Sequence, residues 1–267
     1  MKMQHAMRAL GGILRREMLR LFGQRGRLAA AIVRPLVWLG IFAAGFRAVL
    51  GLSIIPPYET YILYEVYIVP GLAGMMLLFH GMQTSLSMVY DREMGSMRIL
   101  LTAPLSRWWL LAARLFANAV TALPLVYVFL FLSRFWEVRP PMLGYVLALP
   151  ALLVAGLMLG AVGLALSSLI RQLENFAGVM NFVIFPAFFA STALYPLWRF
   201  EEVSPALAVV AQLNPFTYAV ELIRFALYLK VNLLALAVCC FTFLGFYTLA
   251  VIGYDPGRGF WAGRMIE

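Results

Sequence analysis

The chain has 267 residues, of which 63% are hydrophobic and only 12% charged, yet its formal net charge is +9. A water-soluble domain of this size carries far more polar surface, so the composition argues against a soluble enzyme or a DNA-binding domain. Several apolar runs exceed the roughly 18 residues that mark a membrane-spanning helix. The composition therefore predicts an all-α integral membrane protein, with one transmembrane domain over residues 1–267.

Positive charge is concentrated at the start of the sequence. Residues 1–34 contain eight basic residues and a single acidic one. Within residues 1–30 the apolar side chains recur at helical spacing, and most arginines fall on another arc. The apolar set is Met7, Leu10, Leu14, Met18 and Leu21, and the basic set is Arg8, Arg15, Arg16 and Arg20. This pattern predicts an interfacial amphipathic helix whose arginines contact lipid phosphates, with no role in binding nucleic acid.

Six apolar windows of about 20 residues are bounded by charges and prolines. They are Val33–Leu52, Val66–Val89, Leu110–Leu132, Leu143–Leu169, Phe176–Tyr195 and Val231–Ile252. An even number of transmembrane helices puts both termini on one side of the bilayer, and that side receives fifteen of the 21 Lys and Arg residues. The positive-inside rule therefore predicts cytoplasmic termini.

Aromatic side chains crowd the first outer loop. They are Tyr58, Tyr61, Tyr64 and Tyr67. Because tyrosine prefers the headgroup level of a bilayer, we expect these rings to be interfacial anchors rather than a ligand-stacking site.

The stretch between Pro196 and Lys230 is apolar but is broken by prolines and carries charges. Asn214-Pro215 is a favourable helix start, since Asn caps free amides and Pro suits the first helical position. Glu221 and Arg224 are three residues apart, so they can pair on one helix face. We expect two short re-entrant helices over residues 197–229, which enter the outer leaflet before the last span.

Residues that carry catalytic chemistry are scarce. The chain has only two lysines, Lys2 and Lys230, and neither follows a glycine, so the sequence lacks a Walker A loop. We therefore expect no enzymatic activity and no cofactor on this chain. His5 and His80 are too far apart in the sequence to suggest a metal site, and His80 is interpreted as a hydrogen-bonded packing residue.

Two alternatives to an ATP-driven transporter stay open at this point. A proton-coupled secondary carrier would use His80, although the spans are otherwise nearly free of charge. A non-transporting scaffold would use the basic helix to bind anionic lipid.

In the fourth span, Gly156 and Gly160 have the spacing that favours close helix packing.

The loop over residues 91–107 is the most informative segment. Met94, Met97 and Leu101 share one face of a short helix, charges flank them, and Pro104 ends it. The apolar face of such a helix lies either on the bilayer or in a groove of a soluble partner.

This loop resembles the ABC-2 family of ABC-transporter permeases. The resemblance lies in Asp91-Arg92-Glu93-Met94-Gly95, followed by Leu100-Leu101-Thr102-Ala103-Pro104-Leu105. A second match is Asn214-Pro215-Phe216-Thr217-Tyr218, which leads to Arg224. One departure is Ala190-Ser191-Thr192-Ala193, where many family members have a Ser-Gly pair.

The resemblance implies a permease homodimer that pairs with two separately encoded ABC ATPase subunits, which would hold ATP and Mg²⁺. It also implies export of an amphipathic or lipid-linked substrate, such as a glycolipid, polysaccharide or drug, across the bacterial inner membrane. Glu93 and Arg98 would be the main polar contacts of the coupling loop. The implied coupling residues are Asp91, Arg92, Glu93, Met94, Gly95, Met97, Arg98 and Leu101. The implied re-entrant residues are Asn214, Pro215, Tyr218, Glu221 and Arg224.

Overall fold

The computed structural model describes residues 2–46, 56–59, 62–94, 106–170 and 172–254. Across these ranges the chain forms ten α-helices and one 3-10 turn, at Ser133–Trp136, with no β-strand. The predicted all-α fold is confirmed. The helices are α1 (Lys2–Gly23), α2 (Arg25–Phe46), α3 (Tyr64–Glu93), α4 (Arg107–Leu132), α5 (Met142–Leu169), α6 (Leu173–Phe189), α7 (Leu197–Val203), α8 (Pro205–Leu213), α9 (Pro215–Leu227) and α10 (Leu233–Gly253).

Five of these helices, α2 to α5 and α10, are long and apolar enough to cross a membrane. Helix α6 is apolar and has 17 residues, which is at the short end of the range that spans a bilayer. The chain is therefore a multi-pass membrane protein. The fifth predicted span extends too far, because the chain leaves the helix after Phe189 and turns before Tyr195.

The break between the first two helices comes earlier than predicted. Helix α1 ends at Gly23 and α2 begins at Arg25, so the interfacial helix is shorter than residues 1–30. Gly23 and Gly26 flank the break, and glycine is a poor helix former. The side chain of Gln24 at the break accepts a hydrogen bond of 2.6 Å from Arg27. Consequently Arg25 and Arg27 belong to the first membrane helix.

Helix α1 packs against α4. Leu10, Leu14, Met18 and Leu21 are half-buried, whereas Arg8, Arg15 and Arg16 are exposed. The predicted amphipathic division is therefore present along most of the helix, with Met7 as an exposed exception. Contact of the arginines with lipid stays a prediction.

The predicted re-entrant pair is three helices instead of two. Pro205 and Pro215 each stand at the start of a new helix, which divides residues 197–227 into α7, α8 and α9. Helices α8 and α9 meet at an angle of 73°. Helix α9 packs against α3, α5 and α10, whereas α7 has no buried residue.

Helix α3 is the centre of the bundle. Within its most apolar 18-residue window, 83% of the residues are buried, against 17% in α2 and α10. It packs against α2, α4, α5, α6 and α9. Because lipid tails are as apolar as these side chains, close van der Waals packing stabilises the bundle more than exclusion from water does.

Glycines allow α3 and α5 to approach closely, as the spacing of Gly156 and Gly160 predicted. A Cβ atom added to Gly81 on α3 would lie 2.9 Å from the Cα atom of Gly160 on α5. On the other side, a Cβ at Gly160 would lie 2.7 Å from Leu115 Cδ1 on α4. Three helices therefore meet at Gly160.

Each end of the bundle gathers several helix termini. At one end, called the Arg92 end, Arg92 contacts Ser167 and Ile170, and Glu93 contacts Leu173. Ser167 also contacts Tyr254. At the opposite end, called the Arg224 end, the start of α3 contacts the turn over residues 190–196 and the helix α9. Helix α3 runs the full distance between them.

Substitution of Gly81 by alanine should destabilise the bundle by about 1–3 kcal/mol, because the new methyl group would collide with backbone atoms that cannot rotate away. Gly178→Ala on α6 is the matched control, since no heavy atom outside its own turn of helix lies within 4 Å of the position that its methyl group would take. Thermal unfolding in detergent measures both. Equal stability of the two variants would contradict the close approach of α3 to α5.

Candidate functional site

At the Arg92 end, a side chain from α3 caps the end of α5. The Nη2 group of Arg92 donates hydrogen bonds to the carbonyl oxygens of Ser167, at 2.9 Å, and of Ile170. Ile170 is the residue that follows the last turn of α5. The carbonyls at a helix C-terminus have no partner within the helix and carry partial negative charge, so the guanidinium satisfies both needs.

The next residue caps the start of α6. The backbone N–H of Leu173 donates a hydrogen bond of 2.8 Å to Glu93 Oε1. Leu173 is the first residue of α6, where free amides and partial positive charge favour a carboxylate. Two adjacent side chains of opposite charge therefore hold the two sides of the turn between α5 and α6.

Two more helices are joined to this end of α3. Asp91 Oδ2 lies 3.2 Å from Arg114 Nη2 on α4. The guanidinium of Arg92 lies 5.8 Å from the ring centroid of Tyr254, just after α10, and the Tyr254 hydroxyl is 2.8 Å from Ser167 Oγ. Burial raises the pKa of Tyr254, so this hydroxyl stays protonated. We call Asp91, Arg92 and Glu93 the Arg92 clamp, because they connect α3 to α4, α5, α6 and α10.

The structure places part of the predicted coupling loop. Asp91, Arg92 and Glu93 contact their own chain, as described above. Met94 follows them and is 63% exposed. Gly95, Met97, Arg98 and Leu101 lie outside the described residues. Contact of the loop with an ATPase stays a prediction.

A buried ion pair dominates the Arg224 end. Arg224 is 1% exposed and pairs with Glu221, one turn earlier on α9, as the sequence predicted. Its Nη2 group donates to the carbonyl oxygen of Thr192 at 2.8 Å, and its guanidinium lies 4.0 Å from the ring centroid of Tyr67. Thr192 also donates from Oγ1 to Glu221 Oε1 at 2.9 Å. We call Tyr67, Thr192, Glu221 and Arg224 the Arg224 network.

Asn214 joins α9 to the end of α6. Its Oδ1 accepts a hydrogen bond of 3.0 Å from Phe216 N, so it caps α9 as predicted, with Pro215 at the first helical position. Its Nδ2 group donates to the carbonyl oxygens of Ala187 and Ala190, both at 2.7 Å. One amide side chain therefore satisfies backbone groups of two helices.

The tyrosines of the first outer loop are core residues, so the prediction of interfacial anchors is wrong for those that the structure describes. The Tyr64 hydroxyl donates to the carbonyl oxygen of Leu194 at 3.0 Å, and that of Tyr67 donates to Thr192 O at 2.9 Å. Tyr58 is also buried and packs edge-on against Tyr228. These tyrosines are three residues apart, and the spacing continues into α3 at Tyr64 and Tyr67. This spacing was the available signal for a buried helix face. Tyr61 lies outside the described residues.

The remaining predicted residues have modest roles. Tyr218 is half-buried and packs on the core. His80 Nε2 lies 3.0 Å from Thr121 Oγ1, which agrees with a hydrogen-bonded packing residue. Within the described part of the chain, no group of three or more His, Cys, Asp or Glu side chains could hold a metal ion.

Comparison with known proteins identifies the family. The sequence profile of the ABC-2 type transporter family matches residues 8–228. The chain belongs to this family. That region includes the Arg92 clamp and the Arg224 network, and the family implies in general that the permease has an ABC ATPase as its partner.

Relatives of the chain are described as candidate transport permeases, ycf38. The protein from Porphyra purpurea is 29% identical over 80% of this chain and 72% of its own length. The protein from Pyropia yezoensis is 30% identical over 82% of this chain and 74% of its own length. The protein from Cyanophora paradoxa is 28% identical over 74% of this chain and 67% of its own length. The chain is therefore a membrane permease of the ABC-2 type.

Replacement of Arg224 by methionine should lower the free energy of unfolding by about 3–5 kcal/mol, because it leaves the Glu221 carboxylate without its buried cation. The matched control is Arg199→Met. Arg199 forms an exposed ion pair with Glu202 at the same i, i+3 spacing, and its loss should cost less than about 1 kcal/mol. Denaturant titration in mixed micelles measures both variants. Similar losses would show that the Arg224 network does not hold this end together.

Proposed function

We propose that the chain is the membrane-spanning subunit of an ATP-driven exporter. Two copies form a homodimer and associate with two ATPase subunits, which bind ATP and Mg²⁺ and carry out hydrolysis. The chain itself performs no catalysis. The observation that supports this role most directly is the Arg92 clamp, because it connects the start of the loop over residues 91–107 to four other helices.

A displacement of the loop would act first on α3. This helix has 30 residues and is therefore about 45 Å long. At its far end Tyr64 and Tyr67 bind the turn that also binds Arg224. A single buried helix thus joins the proposed ATPase-binding loop to α9. This continuity supports a mechanism in which ATP-driven movement at one end rearranges the opposite end.

The orientation follows from charge. The second half of the basic helix α1 lies beside Gln83 and Ser87, in the half of α3 that leads to Arg92. The described flanks of the loop over residues 91–107 are also at the Arg92 end, so we place this end in the cytoplasm. The Arg224 end then faces the opposite side of a bacterial inner membrane. Helices α7 to α9 would be the outer-leaflet elements of the exporter.

The exposed surface of the bundle suits an amphipathic or lipid-linked substrate. Helix α6 presents Phe182, which is 78% exposed, together with Phe185 and Phe189. Nearby, α2 presents Val37 and Ile41. Two such faces in a homodimer would form an apolar wall that contacts acyl chains by dispersion rather than through hydrogen bonds.

Substitution of Glu93 by alanine should lower ATP-coupled transport at least tenfold and leave membrane insertion intact, because α6 would lose the cap that connects it to the loop. Arg98→Ala should have a similar effect through loss of a contact with the ATPase. Glu174→Ala is the matched control, since Glu174 is an exposed carboxylate in the first turn of the same helix α6.

Transport into vesicles and ATP hydrolysis would be measured with purified permease and ATPase subunits together. Full transport by the permease with no ATPase present would contradict the proposal. So would unchanged transport by both the Glu93 and the Arg98 variants.

A further inference from the structure

A basic cleft lies between α2 on one side and α3 and α4 on the other. Its volume is about 80 Å³, several times the roughly 10–15 Å³ that one water molecule needs. A smaller recess of about 40 Å³ continues it towards α1. The polar or charged side chains around the two spaces include Arg20, Gln24, Arg27, Arg34, His80, Gln83 and Thr121.

The charges around the cleft do not balance. Arg20, Arg27 and Arg34 contribute three cations, whereas Glu17 is the one carboxylate among the described lining residues. Within the described part of the chain, no carboxylate lies within 4.0 Å of any of these three arginines. Cations beside an apolar membrane segment need a counter-charge, and an anion in the cleft would supply it.

The arrangement of donors suits phosphoryl oxygens. Arg27 donates to Gln24 Oε1 at 2.6 Å and to Gln83 Oε1 at 3.3 Å. The Gln83 amide oxygen accepts the hydrogen bond from Arg27. The NH₂ group of the same amide is a separate donor, which can bind a ligand. The Arg34 guanidinium lies over the Phe79 ring at 4.7 Å, so its face is covered and its N–H edge is available. Guanidinium edges bind phosphate bidentately.

The position of the cleft favours a ligand that resides in the membrane. Gln83 lies ten residues before the end of α3, about 15 Å along the helix, and six residues before Val89, where the predicted span ends. From Arg34 onward, α2 exposes the apolar side chains Val37 and Ile41. A headgroup in the cleft would therefore have a surface along which its hydrocarbon chain could lie. A free phosphate ion has no hydrocarbon chain that could contact that surface.

We propose that this cleft binds the phosphate-bearing headgroup of an anionic amphiphile, through Arg27, Arg34 and Gln83. The assignment of this cleft as the site of the transported substrate rests on the proposed function. Its assignment as a binding site for an anionic amphiphile does not, because binding requires no ATPase.

Native mass spectrometry of the full chain with dioleoyl phosphatidic acid as the probe tests the site. The double variant Arg27→Gln with Arg34→Gln should bind the probe at least tenfold more weakly. The matched control is Arg25→Gln with Arg139→Gln, which removes the same charge from exposed positions that do not line the cleft and should change affinity less than twofold. Arg34→Gln alone should weaken binding at least threefold, and it breaks no hydrogen bond described for Arg34.

Equal losses in the two double variants would overturn the proposal, because they would indicate general attraction to basic surface. Unchanged binding by Arg34→Gln would also overturn it, and this variant guards against misfolding of the double variant. Thermal unfolding of each protein verifies that it is folded.

Extraction of the purified chain then distinguishes the two sources of such a ligand. A bulk phospholipid of the host membrane, bound at one per chain and lost in Arg34→Gln, would support the site as one for a resident lipid. A phosphorylated amphiphile that is enriched over the bulk membrane, and lost in the same variant, would support it as the substrate site. Recovery of equal phosphorus from the variant would contradict the proposal.

Discussion

The organisation of this permease depends on two adjacent side chains of opposite charge at the end of α3. Every helix leaves four amides and four carbonyls without intrahelical partners at its ends, and these groups need partners from side chains, backbone or water. Arg92 satisfies carbonyls at the end of α5, and Glu93 satisfies an amide at the start of α6. Each cap forms only when the end of the capped helix lies beside the end of α3. The clamp therefore specifies how α3, α5 and α6 meet.

The opposite end of α3 solves a different problem. Arg224 is buried and charged, which is costly unless the guanidinium has compensating partners. A carboxylate, two backbone carbonyls and an aromatic face surround it. These partners come from α3, α9 and the turn after α6, so the charge can be accommodated only when all three are in place. One central helix therefore links two polar assemblies across an otherwise apolar bundle.

Local features of this structure could be predicted from the sequence. The membrane helices follow from apolar runs, the Asn214 cap from its position before Pro215, and the Glu221–Arg224 pair from i, i+3 spacing. These signals act over one to about twenty residues. The proline positions also contained the signal for three short helices, since Pro205 begins a helix just as Pro215 does. We predicted a helix start only at Pro215.

Long-range contacts could not be predicted in the same way. Glu93 meets Leu173 across 80 residues, and Tyr67 meets Thr192 across 125, and no periodicity relates such positions. The motif around Glu93 pointed to a partner protein, whereas the structure first shows a role within the chain. The tyrosines were misjudged because an aromatic ring near a membrane surface is usually an anchor. Here the hydroxyls of Tyr64 and Tyr67 instead donate to backbone carbonyls of the buried turn over residues 190–196.

The central claim is that the loop that follows the Arg92 clamp contacts an ATPase subunit. Photocrosslinking tests it most directly, with benzoylphenylalanine in place of exposed Met94 in the assembled complex, and in place of exposed Glu202 as a control at the opposite end. We expect position 94 to crosslink to a protein that a photoreactive ATP analogue also labels, and position 202 not to do so. Crosslinks from position 94 to lipid alone, or an equal yield of the ATP-binding protein from both positions, would contradict the account.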